Sequence, residues 1–283
     1  MPKAQSPKPV AESPSLVNRS DHYSYVVYAD AGMAERFDRR RFGGPIGALL
    51  LEEQERVLGD FLGELEDCHI IDVGTGTGRA ALALARRGAH VTGVDASAEM
   101  LETARKRAGE AGVKVIFDRD DAHALHFPSR AFDHAVSLRV LMHAPDWRRC
   151  LGELCRLARH RVVVDFPAVG SVAAVQAVTR RIQAACAERR SWFDNAHHER
   201  SRSADRQVEA YRVFRLSTIT HEFEHHGFRV SRVHRQFVLP IALHKLIGSR
   251  RFTVAVEGGL AAVGILQLVG SPVTIVAERC ESS

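Results

Sequence analysis

Three short stretches of this sequence combine residue types that could do chemistry. In the first, Asp72-Val-Gly74-Thr75-Gly76-Thr-Gly78, three glycines stand at alternate positions just behind an aspartate. Glycine is needed where a backbone turns sharply and lets a ligand approach without interference from a Cβ, so the run implies a turn against a nucleotide-like molecule. Counted from Gly74, the third glycine of a GxGxxG dinucleotide fingerprint would be Arg79, which disfavours a nicotinamide cofactor. The second stretch, Leu141-Met-His143-Ala-Pro-Asp146, offers a histidine, whose ring can take up or release a proton near neutral pH. The third, His221-Glu222-Phe223-Glu224-His225, fits HExxH, a zinc-hydrolase signature that sets two histidines on one helix face at i and i+4.

The surrounding pattern says what positions them. Residues 69–73 form a short apolar run into the glycines, followed by a helical ALALARR and a second strand over 90–95. This is a β-α-β unit. Ser97 is placed to cap the next helix, which stops at Gly112. Further strands are expected over 114–117, 132–138, 161–166, 228–233 and 272–277. Strands alternating with helices imply a mostly parallel sheet covered on both faces, with ligands at the carboxyl ends of its strands. Ahead of the unit, LLLEEQERVLGDFL reads as an amphipathic helix. The stretch 168–212, with Trp192, Phe193 and the pair His197-His198, interrupts the rhythm as a long, charged, helical insertion. Residues 252–276 are the most apolar stretch, with Glu257 the only charge; Gly258, Gly259, Gly264, Gly270 and Pro272 break it, so a buried helix followed by a strand is expected rather than a membrane span.

Composition sets the outer bounds. At 283 residues, 45% hydrophobic and 26% charged, the chain suits one sizeable α/β domain. Its formal net charge of +5 comes from arginines scattered through helical segments, without aromatic interleaving, so they are read as solvated helix faces and no nucleic-acid partner is expected. Cys68, Cys150, Cys155, Cys186 and Cys280 form no CxxC pair, which points to reduced thiols in a cytoplasmic protein and to no metal site. Residues 1–20, rich in Pro, Ser and Lys, read as a disordered tail and not a signal peptide.

The glycine turn after an acidic residue, Asp95 ending the second strand, Asp121-Ala122 after the third, and Phe132-Asp133 opening a fourth that runs into Leu141-Met-His143-Ala-Pro-Asp146 occur in one order. This series resembles the class I SAM-dependent methyltransferases, in the branch that methylates small metabolites. The resemblance implies a doubly wound α/β fold: a mostly parallel seven-stranded sheet whose last strand is inserted antiparallel, with helical N-terminal and inserted lids. It implies S-adenosyl-L-methionine (SAM) as cofactor, with Asp72, Gly74, Thr75, Gly76, Gly78, Asp95, Ala96, Met100, Asp121, Ala122 and Leu138 around it. Asp72 is expected at the methionine amino group, Asp95 at the ribose hydroxyls, Asp121 and Ala122 at the adenine edge and Met100 against the purine. A carboxylate is an acceptor with several lone pairs, which suits Asp95 to a cis-diol. His143 is the candidate general base, for an acceptor whose oxygen must lose a proton.

On the same resemblance, residues 21–66 form an N-terminal helical lid, with Tyr23, Tyr25, Tyr28, Phe37 and Phe42 folding over the ligands and Arg41 reaching the SAM carboxylate. Residues 67–167 form the SAM-binding core, 168–212 an acceptor lid, and 213–283 complete the sheet. The acceptor is expected to be small and apolar or aromatic. The HExxH run falls where the fold needs the helix before the sixth strand, so zinc hydrolysis is a minor alternative, beside a catalytically idle SAM-binding scaffold. Oligomeric state is not legible.

Overall fold

In the computed structural model, residues 42–171 and 212–280 are described. Tyr23, Tyr25, Tyr28, Phe37, Arg41, Cys186, Trp192, Phe193, His197 and His198 lie outside them, as do the tail and nearly all of the insertion.

Seven strands make one sheet: β1 (His69–Val73), β2 (His90–Asp95), β3 (Val115–Arg119), β4 (Phe132–Ser137), β5 (Ala158–Phe166), β6 (Phe228–Arg235) and β7 (Val273–Arg279). Their order is β3-β2-β1-β4-β5-β7-β6. The pairs among β1 to β5 are parallel, and β7 runs antiparallel between β5 and β6. That is the expected fold class. The order reverses at β1, whose neighbours are β2 on one side and β4 on the other, so the crevice for a ligand opens at the carboxyl ends of these three strands.

Alternation along the strands divides the core into two faces. Ile70, Val136, Val163 and Val276 pack with Val57, Leu58, Phe61 and Leu62 of α1 (Gly44–Leu62) and with Ala81 and Leu84 of α2 (Arg79–Ala85). Ile71, Ala135, Val162, Val164 and Ile275 face the other way, onto Leu151 and Leu154 of α4 (Trp147–Leu157) and Ile219 and Phe223 of α5 (Leu216–His225). Each valine, leucine, isoleucine or phenylalanine among them contributes about 1.5–3 kcal/mol by leaving water. The described part of the N-terminal segment thus belongs to the core through α1, while Phe42 and Gln54 reach the ligand cleft.

Local signals set the helix ends. Ser97 caps α3 (Ala98–Ala111) by accepting the Met100 N–H at 3.1 Å, and the helix stops at Gly112 with φ +64°. Asp146 does the same for α4, accepting the Arg149 N–H at 3.1 Å.

One expectation fails. The apolar stretch after residue 251 is not a buried helix but two largely exposed ones, α7 (Arg250–Ala262) and α8 (Ile265–Val269), which follow α6 (Ile241–Ile247). The residues of α7 that turn inward are Thr253 and Glu257, one turn apart; Val254 is 54% exposed and Leu268 of α8 is 75% exposed. Among the described residues no helix is long and apolar enough to cross a membrane.

Candidate active site

The glycine turn leaves β1 and is tied to β2 by two backbone bonds, as Gly74 and Thr75 N–H both donate to the Val94 carbonyl at 2.8 and 2.9 Å. Its glycines serve different ends. Gly74 has φ +72°, and a Cβ there would stand 2.1 Å from Val140 Cγ2, so the turn lies directly against the loop after β4. Gly76, at φ +55°, would direct a Cβ into open space with nothing within 4 Å. Gly76 also lines a cleft at the carboxyl ends of the central strands, so that open space is where a ligand can lie.

The cleft has a volume of about 210 Å³. Asp72, Gly74, Thr75, Gly76, Asp95, Ala96, Met100, Ala122, Leu138 and His143 all line it, brought together from the ends of β1 to β4, the turns that follow and the first turn of α3. Gly78 and Asp121 do not. Gly78 instead lets α2 approach α3, where a Cβ would be 3.0 Å from that of Ala104. Because β3 continues to Arg119, two residues beyond its expected end, the loop turns Asp120 toward the cleft. The Asp121 carboxylate faces His123 instead, accepting its N–H at 2.9 Å and lying 2.7 Å from its Nδ1.

One buried and one part-buried carboxylate give the cleft its electrostatics. Asp72 is 2% exposed and accepts the Thr75 hydroxyl at 2.7 Å; burial, with the Asp95 charge adding to it, pushes its pKa up to about 6. Asp95 accepts the Gly76 N–H at 2.8 Å and the Ser97 N–H at 2.9 Å. Burial raises its pKa as well, against the opposing effect of those N–H groups. Each carboxylate oxygen of Asp95 takes one such bond, which fixes its orientation and leaves lone pairs for hydroxyl donors.

Several lining residues carried no signal in the sequence. His123 is 4% exposed and its Nε2 is buried without a hydrogen-bond partner among the described residues. With Nδ1 engaged by Asp121, a neutral ring would offer that nitrogen as an acceptor. Arg139 follows β4 with φ +66° and also lines the cleft, and Arg79 lies over the Phe42 ring at 4.6 Å.

The HExxH residues lie elsewhere. His221 and His225 touch through their Nε2 atoms at 3.1 Å on the exposed side of α5, and Glu222 pairs with Arg148 at 3.1 Å. None of them lines the cleft, and no group of three metal-ligating residues occurs among the described residues. The four described cysteines are free; burial holds Cys150 up at about 12, so its thiol stays protonated and unreactive.

Residues 70–161 match the family described as a methyltransferase domain. Over 103 residues the chain is 41% identical to the demethylmenaquinone methyltransferase of Thermus thermophilus, a match spanning 35% of this chain and 47% of that protein. The chain thus covers about half the length of that relative. Among solved structures it is similar to magnesium protoporphyrin IX methyltransferase from Synechocystis PCC 6803 with bound SAH, at a TM-score of 0.57 and 18% identity over 90% of this chain and 99% of that one. It is also similar to the [4+2]-cyclase SpnF, at a TM-score of 0.52 and 20% identity over 81% of each chain. The sheet order, the glycine turn between β1 and α2 and the matched residues agree: residues 70–161 match a methyltransferase domain, and the chain shares its fold with the solved methyltransferase it resembles.

Proposed function

We propose that this chain is a SAM-dependent methyltransferase of the cytoplasm that acts on a small, apolar or aromatic metabolite and not on nucleic acid. The observation that carries the reading is the convergence of Asp72, the glycine turn, Asp95 and Met100 on one cleft of about 210 Å³. The open space beside Gly76 and the backbone-fixed carboxylate of Asp95 fit a nucleoside with a free ribose diol. Relatives that methylate demethylmenaquinone and magnesium protoporphyrin IX support a small, largely apolar acceptor.

SAM supplies a methyl group on a sulfonium, already a good leaving group, so the protein's task is alignment and exclusion of water. Asp95 holds the ribose hydroxyls. Asp72 faces the methionine ammonium, whose positive charge favours the ionised carboxyl that burial disfavours. Met100 would lie along the purine, with Ala122 and His123, the latter held by Asp121, at its edge. His143, in the loop after β4, takes the proton from an acceptor oxygen as it attacks.

The test is calorimetry with SAM, followed by transfer from labelled SAM into small molecules of a cell extract. The wild-type protein should bind SAM, and Asp95→Ala should weaken it at least about tenfold while staying folded, given charged hydrogen bonds worth about 1.5–3 kcal/mol each. His143→Ala should keep SAM affinity and lose about 10²–10⁴-fold in turnover together with the histidine limb of the pH profile. Unchanged SAM affinity in a folded Asp95→Ala variant would remove the assignment of Asp95 to the ribose, and failure of the wild-type protein to bind SAM would remove the cofactor. Near-normal turnover without His143 would reject it as base and leave methyl transfer standing.

A further inference from the structure

Arg139 combines two unfavourable features. Its φ of +66° puts a non-glycine residue in the left-handed region, and its Nε is buried without a hydrogen-bond partner among the described residues. Strain of this kind persists only where the surroundings impose it, and here they do: the Arg139 N–H donates to the carboxylate of Asp165, a buried residue near the end of the adjacent strand β5. The side chain thereby stands at the carboxyl edge of the sheet, in the wall of the cofactor cleft. It also lines a side cavity of about 30 Å³ between α1 and the ends of β5, β6 and β7, together with Glu53, Gln54, Asp165, His234 and Gln236.

The carboxylates of that cavity are already engaged. Glu53 is 3.1 Å from His234 and 2.7 Å from Arg56, contacts that hold its pKa down at about 2, and Asp165 accepts the Arg139 N–H. Neither of them takes up the Arg139 Nε, which has no hydrogen-bond partner among the described residues. A guanidinium is always charged and presents a planar fork that matches a carboxylate or a similar oxyanion. It stands on the same loop as His143, four residues away, and both line the cleft.

We propose that Arg139 is the specificity-determining residue for the methyl acceptor, and that the acceptor bears an anionic oxygen, a carboxylate or an acidic phenol or enol, on an otherwise apolar or aromatic frame. This rests on the reading of the cleft as a SAM site and names the class of molecule that site takes as its second substrate. The guanidinium receives the oxyanion and sets the acceptor's orientation beside His143, and Asp165 holds the backbone that aims it.

The test uses the full chain loaded with S-adenosylhomocysteine, and benzoate against the isosteric neutral benzamide as probes, titrated by calorimetry and by the Arg139 Nε–H resonance. Wild type should bind benzoate about tenfold more tightly than benzamide, with the resonance shifting on benzoate alone. Arg139→Gly suits φ +66° and should melt no lower than wild type, yet lose that preference, while Arg139→Lys, which keeps the charge, should retain part of it. The inference is overturned if wild type fails to bind benzoate or binds both probes equally, or if the preference survives in Arg139→Gly. It is also overturned if Arg139→Gly costs S-adenosylhomocysteine about tenfold in affinity, because the guanidinium then serves the cofactor's own carboxylate. Failure of wild type to bind S-adenosylhomocysteine would instead strike the cofactor reading on which the inference stands.

Discussion

The centre of the sheet and the C-terminal helices α6 to α8 are written in similarly apolar residues and folded in opposite senses. In β1, β2, β4 and β5 the apolar side chains are inside: Ile70, Ile71, Val136 and Val163 are fully buried, and Asp72, Asp95 and Asp165, toward the strand ends, border the cavities. In α6 and α7 the polar groups are inside. Glu257 accepts the Val238 and Leu239 N–H groups at 2.8 and 3.0 Å and the His244 ring at 2.8 Å, while the other nitrogen of that ring is 3.0 Å from the Thr253 hydroxyl. Leu246 meanwhile is 84% exposed. Apolarity alone therefore does not set burial. A central strand has neighbours on both faces and both edges, whereas these helices are fastened to the domain by a polar clasp.

That contrast can be broken by mutation, and the largest effect belongs to the sheet. Phe166→Ala, at a fully buried position at the end of β5, should cost about 3–5 kcal/mol and lower the melting midpoint of the whole domain as one transition. A loss under about 1 kcal/mol would mean that this part of the sheet is as loosely held as the helices.

Asp72→Asn sharpens the difference in where charge is held. The folded pKa of Asp72 is raised to about 6 from an ordinary 3.8, so its ionised form opposes folding. The penalty is absent below the unfolded value, grows from about pH 4 to 6 and is complete above that, reaching at most about 3 kcal/mol. The cofactor-free Asn variant should therefore match wild type at pH 4, exceed it in denaturant midpoint at pH 8, and bind SAM more weakly. Wild-type SAM affinity should itself fall as pH drops below about 6, where Asp72 takes up its proton. Equal midpoints at pH 8 would show the charge to be fully compensated without a ligand.

Glu257→Ala tests the clasp. It strands two backbone N–H groups and a buried histidine, a cost of about 1–3 kcal/mol. Amide exchange should quicken in α6 and α7 and stay slow in β1, β4 and β5. Uniform acceleration would mean that helices and sheet open together. The smallest effect is expected for Leu246→Ser with Leu268→Ser, two exposed positions, at within about 0.5 kcal/mol for each. A larger loss would show that something covers them in solution.

How far the sequence reaches depends on the range of the interactions that decide each feature. The alternation in β1, β2 and β4, the serine before α3, the glycine behind it and the aspartate ahead of the glycine turn act within a few residues, so they were legible, and the ten cleft-lining residues named from sequence came with them. The end of β3 was less so, because its last residues are held by pairing with β2, from Asp118↔Val94 to Arg119↔Asp95, and that shift turned Asp120 toward the cleft in place of Asp121.

The sequence by itself determined a doubly wound sheet and a glycine turn flanked by Asp72 and Asp95, since strand and helix periods, caps and turn glycines are properties of neighbours along the chain. Tertiary structure decided the rest. Arg139 acquires its meaning from Asp165, 26 residues away and on another strand; His123 matters because its ring is sealed beside a cleft; and α7 turns Glu257 inward because Val238, Leu239 and His244 wait there as donors. An isolated arginine, histidine or glutamate carries no mark of such partners, because the free energy of a buried polar group is set by what the fold brings within hydrogen-bond distance of it.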